Sequence, residues 1–192
     1  MTGEQPPSAF LDASALYPAF LRNILMRFAQ RDLFRAFWSE RVQEEWTRAV
    51  LRDRPHLPRA QIERTRRLMD EQIDDANVSN YEHLIEAITL PDTDDRHVLA
   101  AAIHCGAGII VTANLRDFPA SVLSRHGIEA QHPDAFILGV FNSDPPEAVA
   151  ALHELRASLK NPPLTAATLL ESMSRQGLSA SADALGAFID AL

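Results

Sequence analysis

Three aspartates, Asp92, Asp94 and Asp95, stand just ahead of the apolar run 98–103. A carboxylate at the start of a helix satisfies orphan amides and favours the helix dipole, so one of the three is expected to cap. Two further acids exceed what capping requires. They raise a second possibility, one corner of a metal site assembled from separate parts of the chain. Other acids would suit it. Asp12 follows the apolar run 9–11. An acid there starts half-buried and needs a partner or a cation, although it could equally cap the next helix, as could Ser14. Glu44 and Glu45 lie mid-helix. Glu45 shares a face with Val42 and Ala49, whereas Glu44 aligns with Arg48 at i+4, the spacing of an exposed ion pair. Asp117 follows Asn114 at i+3. Several hard oxygen donors, with no second cysteine and no paired-histidine motif, suit Mg²⁺ or Mn²⁺ rather than Zn²⁺.

Such residues act together only if the fold makes them converge. "SAFLDASALYP" reads as a short buried strand, a turn and a helix continuing through "LRNILMRFAQ", where Leu21, Ile24, Leu25 and Phe28 share one face. "SERVQEEWTRAVLRD" reads as a helix with Ser39 as N-cap. "PHLPRAQIERTRRLMDEQI" restarts a helix, with Ile62, Leu68 and Met69 partly buried. "DDANVSNYEHLIEAITLPD", before the Asp-rich helix, mixes turn residues with short extended or helical pieces. Residues 109–112, β-branched and following Gly108, read as a fully buried strand. "SRHGIEAQHP" holds another strand and "PDAFILGVF" a helix. Strands separated by helices predict an α/β fold with a parallel sheet. In open parallel sheets ligands sit at the carboxyl ends of the strands, where Asp12 and Asn114 both fall. Past Phe141 the strand signals stop, and Val149, Leu152, Leu155 and Leu159 mark an amphipathic helix. The expected division is a domain over 1–141 and a helical C-terminal extension over 142–192.

The chain has 192 residues, 46% of them hydrophobic, enough for a real core. No apolar stretch approaches the ~20 residues of a membrane span. Residues 1–8 carry no basic side chain and do not read as a signal peptide. The single cysteine, Cys105, lies in the apolar helix and is expected to be buried. A cytoplasmic protein is the simplest inference. A net charge of −8 argues against a general nucleic-acid coat but not against a nuclease, whose acids gather at a metal. The bases are lopsided: Lys160 is the one lysine, and seven of the arginines fall between Arg48 and Arg67. That run is either a solvated helix face or a patch facing phosphate or a partner.

"FLDASALYP", "WSERVQEEWTRAVL", "DTDDRHVLAAAIHCGAGIIVTANLRDFP" and "GIEAQHPDAF", taken in order, resemble the PIN-domain proteins. The likeness is closest to the VapC-type toxins of bacterial type II toxin–antitoxin systems, in the subgroup with a helical C-terminal extension. It covers residues 9 to about 141. The resemblance implies a PIN-like parallel sheet wrapped by helices and a metal-dependent endoribonuclease acting on tRNA, rRNA or mRNA. It also implies an antitoxin partner and a homodimer. The family's acidic cluster carries over to Asp12, Glu45 and Asp95 as metal ligands, with Ser14 and Thr112 orienting them. The resemblance implies Asp95 rather than its neighbours because it stands eleven residues before Gly106, the family's usual distance. The chain departs from the pattern at Asn114, where many PIN nucleases carry aspartate. Asn114 or Asp117 would then complete the catalytic set.

In that reading Arg96 either contacts phosphate or pairs with a neighbouring aspartate. His97 either acts as general acid or packs against the helix face. Two other classes compete. One is a catalytically weak PIN module acting as an RNA- or protein-binding adaptor. The other is a phosphatase with Asp12 as nucleophile, which would want a second aspartate where Ser14 stands.

Overall fold

A computed structural model describes residues 6–160 and 163–192. Most of the polar start expected over 1–8, and Pro162 of the second Pro-Pro pair, lie outside the described residues. The strands are β1 (Ser8–Leu11), β2 (Arg35–Ser39), β3 (Asn77–Val78), β4 (Ile109–Val111) and β5 (Glu129–Gln131). The α-helices are α1 (Ala13–Leu16), α2 (Ala19–Gln30), α3 (Glu40–Asp53), α4 (Arg59–Gln72), α5 (Arg96–Cys105), α6 (Ala120–Leu123), α7 (Pro133–Ser143), α8 (Pro145–Ser158), α9 (Ala166–Arg175) and α10 (Ser179–Leu185). No helix among the described residues is long and apolar enough to cross a membrane.

The five strands form one parallel sheet in the order β3-β2-β1-β4-β5. β1 and β4 are almost wholly apolar because both faces of a parallel sheet are covered. The expected parallel α/β architecture, with helices around the sheet and a helical C-terminal region, is what forms. β2 has no counterpart in the sequence reading. The sheet starts at β1 and grows in opposite directions, through β2 on one side and β4 on the other. In open parallel sheets the ligand site lies at such a reversal, outside the carboxyl ends of the two strands. Leu11 pairs with Val111 in register, so Asp12 and Thr112 leave the sheet side by side.

The chain divides into two compact units. The first comprises the chain up to Pro18 together with Arg35–His132, and it contains the whole sheet. There α5 packs on β1, β2 and β4. Val98, Leu99, Ala100, Ala101 and Ala102 are fully buried. The helix ends at Gly106, whose φ of 69° places it in the left-handed region that glycine adopts at little cost. Cys105 is half-buried rather than sequestered, and burial pushes its thiol up. Leu68, expected to be partly buried, is exposed, while Ile62 and Met69 fill the inner face of α4.

The second unit comprises Ala19–Phe34 and Pro133–Leu192. Here α2 packs on α8, and α10 on α7 and α9. Val149, Leu152 and Leu155 are buried as the amphipathic stripe predicts; Leu159 falls after the helix end. Arg31 bridges Glu147 and Glu154. Asp134 accepts hydrogen bonds from the backbone N–H groups of Ala180 and Ser181.

Candidate active site

Asp12 directly follows β1. The strand ends at Leu11, the chain turns into α1, and the Asp12 carboxylate caps that helix. Its Oδ1 accepts the Ala13 N–H at 2.7 Å. Its Oδ2 accepts the Thr112 hydroxyl at 2.8 Å and the Ser14 hydroxyl at 2.6 Å. Each hydroxyl has one proton, so the 3.2 Å contact between Ser14 Oγ and Thr112 Oγ1 carries no further bond once both point at Asp12. Both oxygens also accept. Ala113 N–H donates to Ser14 Oγ at 3.0 Å, and Asn114 N–H to Thr112 Oγ1 at 3.0 Å. The cap and the acid of a site are thus one group: Oδ2 is held by hydroxyls, while Oδ1 retains acceptor capacity.

Asp95 sits at the N-cap position of α5, yet its side chain caps nothing. A capping residue normally has an extended backbone that aims its oxygen at the first-turn amides. Asp95 has a helical one, with ψ of −5°, and its carboxylate is left free of that duty. The expected side-chain cap from one of the three aspartates does not form; Asp92 instead accepts the Asp94 N–H at 2.9 Å, which orders the loop before the helix. Burial pushes the Asp95 carboxyl up to about 7, reinforced by repulsion from Asp12, Asp117, Asp92 and Glu45. Charges raise a carboxyl in this way only when they share one neighbourhood. All four expected acids, Asp12, Glu45, Asp95 and Asp117, are therefore near enough to act on one another's charge at Asp95. Asp117 gets there through a short 3₁₀ turn, Leu115–Asp117, whose Asp117 N–H donates to Asn114 O at 3.1 Å. Asn114 itself is exposed.

Glu45 enters from α3, which is capped by Ser39 as predicted. Burial raises the Glu45 carboxyl, but His97 and Arg41 overcome that and hold it below the ordinary value. His97 Nε2 lies 3.0 Å from Glu45 Oε1, and Arg41 Nε lies 3.2 Å from the same oxygen. Arg41 also donates through Nη2 to Asp94 O at 3.3 Å, tying α3 to the loop before α5. These two supports were not singled out for that role, although the i, i+4 spacing of Arg41 and Glu45 was visible. The expected Glu44–Arg48 pair does not form; an i, i+4 ion pair on this helix runs one turn earlier, from Arg41 to Glu45. His97 is buried, so it does not face solvent as a free acid would. Arg96 makes no ion pair among the described residues, and its Nε is buried without a partner.

The donor set is all hard oxygen and its negative charge is concentrated, which fits a divalent cation. Among the described residues, no three His, Cys, Asp or Glu side chains are gathered tightly enough to hold a metal ion directly.

A PIN domain family model matches residues 8–116, a span that holds every candidate except Asp117. A VapC50 C-terminal domain model matches residues 133–187. The chain is 38% identical over 82 residues to "Putative ribonuclease VapC50" of Mycobacterium tuberculosis (strain ATCC 25618 / H37Rv), covering 43% of this chain and 48% of that protein. The matched stretch thus spans about half the length of that relative. No solved structure matches the chain.

Proposed function

Because this chain belongs to the PIN-domain family, we propose that it is a divalent-metal-dependent endoribonuclease, the toxin of a type II toxin–antitoxin pair. The observation that carries this reading is the clamp at the neighbouring ends of β1 and β4, where the Ser14 and Thr112 hydroxyls hold Asp12 Oδ2 and leave Oδ1 with acceptor capacity; the raised Asp95 carboxyl supports it. Crowded carboxylates in a crevice are unfavourable for folding alone and are expected where a cation neutralises them. The C-terminal match to a VapC50 domain supports the toxin subgroup.

Phosphodiester hydrolysis requires charge neutralisation at the scissile phosphate, an activated water and a stabilised leaving oxygen, all of which Mg²⁺ or Mn²⁺ supplies when bound. Asp12, Glu45 and Asp95 would hold the ion, in part through water, which suits acids that surround a point without closing on it. Ser14 and Thr112 fix the Asp12 carboxylate through Oδ2 and leave Oδ1 with acceptor capacity. His97 and Arg41 keep Glu45 ionised. Asp117 supplies the fourth negative charge that Asn114 does not. The antitoxin partner, the homodimer and the cytoplasmic setting belong to the same proposal.

The test is direct. Purified protein should cut RNA in Mg²⁺ or Mn²⁺, stop with chelator, and lose the activity on Asp12→Asn. Metal-dependent RNA binding without any cleavage would instead favour the adaptor reading, which the neutral Asn114 makes the runner-up.

A further inference from the structure

The arginine run between Arg48 and Arg67 is not absorbed by the acidic site. Part of it lines a cleft of about 660 Å³ where α3 and α4 face each other. Four arginines, Arg48, Arg52, Arg59 and Arg66, border it against two carboxylates, Glu44 and Glu63, so its walls are net positive in a chain of net charge −8. The arginines are not equally engaged. Arg66 is held by Glu40 and Glu63. Arg52 pairs with Asp53, and both are exposed. Arg59 has one long contact, 3.7 Å to Glu63. Arg48 makes no ion pair or hydrogen bond among the described residues. Thr47 lines the same cleft, is 4% exposed, and its hydroxyl has no partner. Arg48 thus presents a guanidinium fork without an acceptor among the described residues, and a phosphate oxygen accepts from such a fork.

We propose that this cleft is a second RNA contact, holding backbone phosphates of the substrate strand beside the catalytic crevice; the inference rests on the ribonuclease reading above. Arg48 lies three residues from Glu45 on the same helix, about 4.5 Å along its axis. A strand cut at the acids therefore passes the cleft within its neighbouring nucleotides. Repulsion at the acids is offset by attraction a turn away, which lets an acidic protein take a polyanionic substrate. Exposed ion pairs such as Arg52–Asp53 and Arg59–Glu63 are weak enough to yield to phosphate.

The experiment compares the full chain with Arg48→Gln/Arg59→Gln. In cleavage of a long RNA, the double variant should raise KM roughly tenfold and leave kcat nearly intact, as loss of charge-assisted contacts outside the reacting atoms predicts. In binding of uncleaved RNA, measured in an Asp12→Asn background, the slope of log affinity against log salt should flatten by about 1.4, two phosphates at about 0.7 each for a single strand. Arg48→Lys should keep the slope, and equal thermal midpoints establish that the variants fold; if the double variant melts early, Arg48→Gln alone carries half the effect. Unchanged affinity and slope overturn the inference. So does unchanged RNA binding with weakened binding of the cognate antitoxin, which would assign the cleft to a protein partner. A wild-type chain that binds RNA with this slope but never cleaves it sinks the ribonuclease reading and leaves the phosphate cleft standing.

Discussion

Thr112 donates its hydroxyl proton to Asp12 Oδ2 at 2.8 Å, joining residues 100 positions apart across two neighbouring strand ends. Thr112 is fully buried, and its oxygen accepts the Asn114 N–H. One side chain therefore fixes the carboxylate and starts the turn toward Asp117. Thr112→Val keeps the shape and deletes both bonds. It should destabilise the protein by about 1–3 kcal/mol, the cost of leaving buried polar groups short of a partner. RNA cleavage should fall with it, while Thr112→Ser, which keeps the hydroxyl, stays near wild type. Urea midpoints and cleavage rates of the two variants check this; a Val variant as stable and active as Ser would remove Thr112 from the clamp.

Asp95 gives a mutation and a pH prediction with the same sign. Its carboxyl is raised from 3.8 to about 7 by burial and by the neighbouring acids. A raised carboxyl binds its proton more tightly in the folded state, so its contribution is fully present below 3.8 and is lost as pH rises through about 7. Metal-free protein should accordingly weaken toward urea as pH rises from about 4 to about 7, through this group. Asp95→Asn should flatten that dependence, stabilise the metal-free protein at the alkaline end, and abolish cleavage. Added Mg²⁺ should reverse the alkaline loss in wild type only. Asp94→Asn should leave both properties almost unchanged, because Asp94 is exposed and does not figure among the charges acting on Asp95. An inactive Asp94→Asn beside an active Asp95→Asn would move the metal ligand by one residue.

Asp117 and Asn114 separate by the same electrostatics. After burial and Asp12, Asp117 is the next largest influence raising Asp95, whereas Asn114 is neutral and reaches the cluster through its backbone N–H. Asp117→Asn should lower the pH at which Asp95 titrates, measurable by carboxyl NMR in metal-free protein, and should raise the Mg²⁺ concentration needed for half-maximal cleavage. Asn114→Ala should do neither to a comparable degree. Equal effects of the two variants would return the fourth position to Asn114.

β1 and β4 were legible because they are short, apolar and bounded by glycine or by Asp12, and α5 because nothing polar interrupts residues 98–102. β2 was not, since Arg35–Ser39 runs straight into Ser39, the cap of α3, leaving no turn signal between strand and helix. β3 is two residues long and exists through pairing with β2, a non-local cause that no local pattern encodes. At the site, residue types named the acids, but their supports depended on tertiary contact. His97 was placed on a helix face, yet its Nε2 meets Glu45 across 52 residues of chain. The role of Asp95 as a non-capping acid follows from one backbone torsion, which composition does not report.

That His97–Glu45 contact carries the remaining prediction. Burial alone would raise the Glu45 carboxyl; His97, then Arg41, holds it low and charged. His97→Leu fills similar space without the donor. It should let the Glu45 carboxyl rise and cost about 10- to 100-fold in metal-dependent activity, the usual range for a residue that orients a ligand. His97→Gln should recover part of the loss by restoring an N–H, and Arg41→Ala should cost less than His97→Leu because Arg41 is exposed and screened. The effect of His97→Leu should shrink as Mg²⁺ is raised, since a positioning defect weakens ion binding before it touches chemistry. Were His97 instead the general acid, saturating Mg²⁺ would leave the loss undiminished and shift the alkaline limb of the pH–rate profile. Those two readouts distinguish a residue that holds Glu45 from one that reaches the substrate.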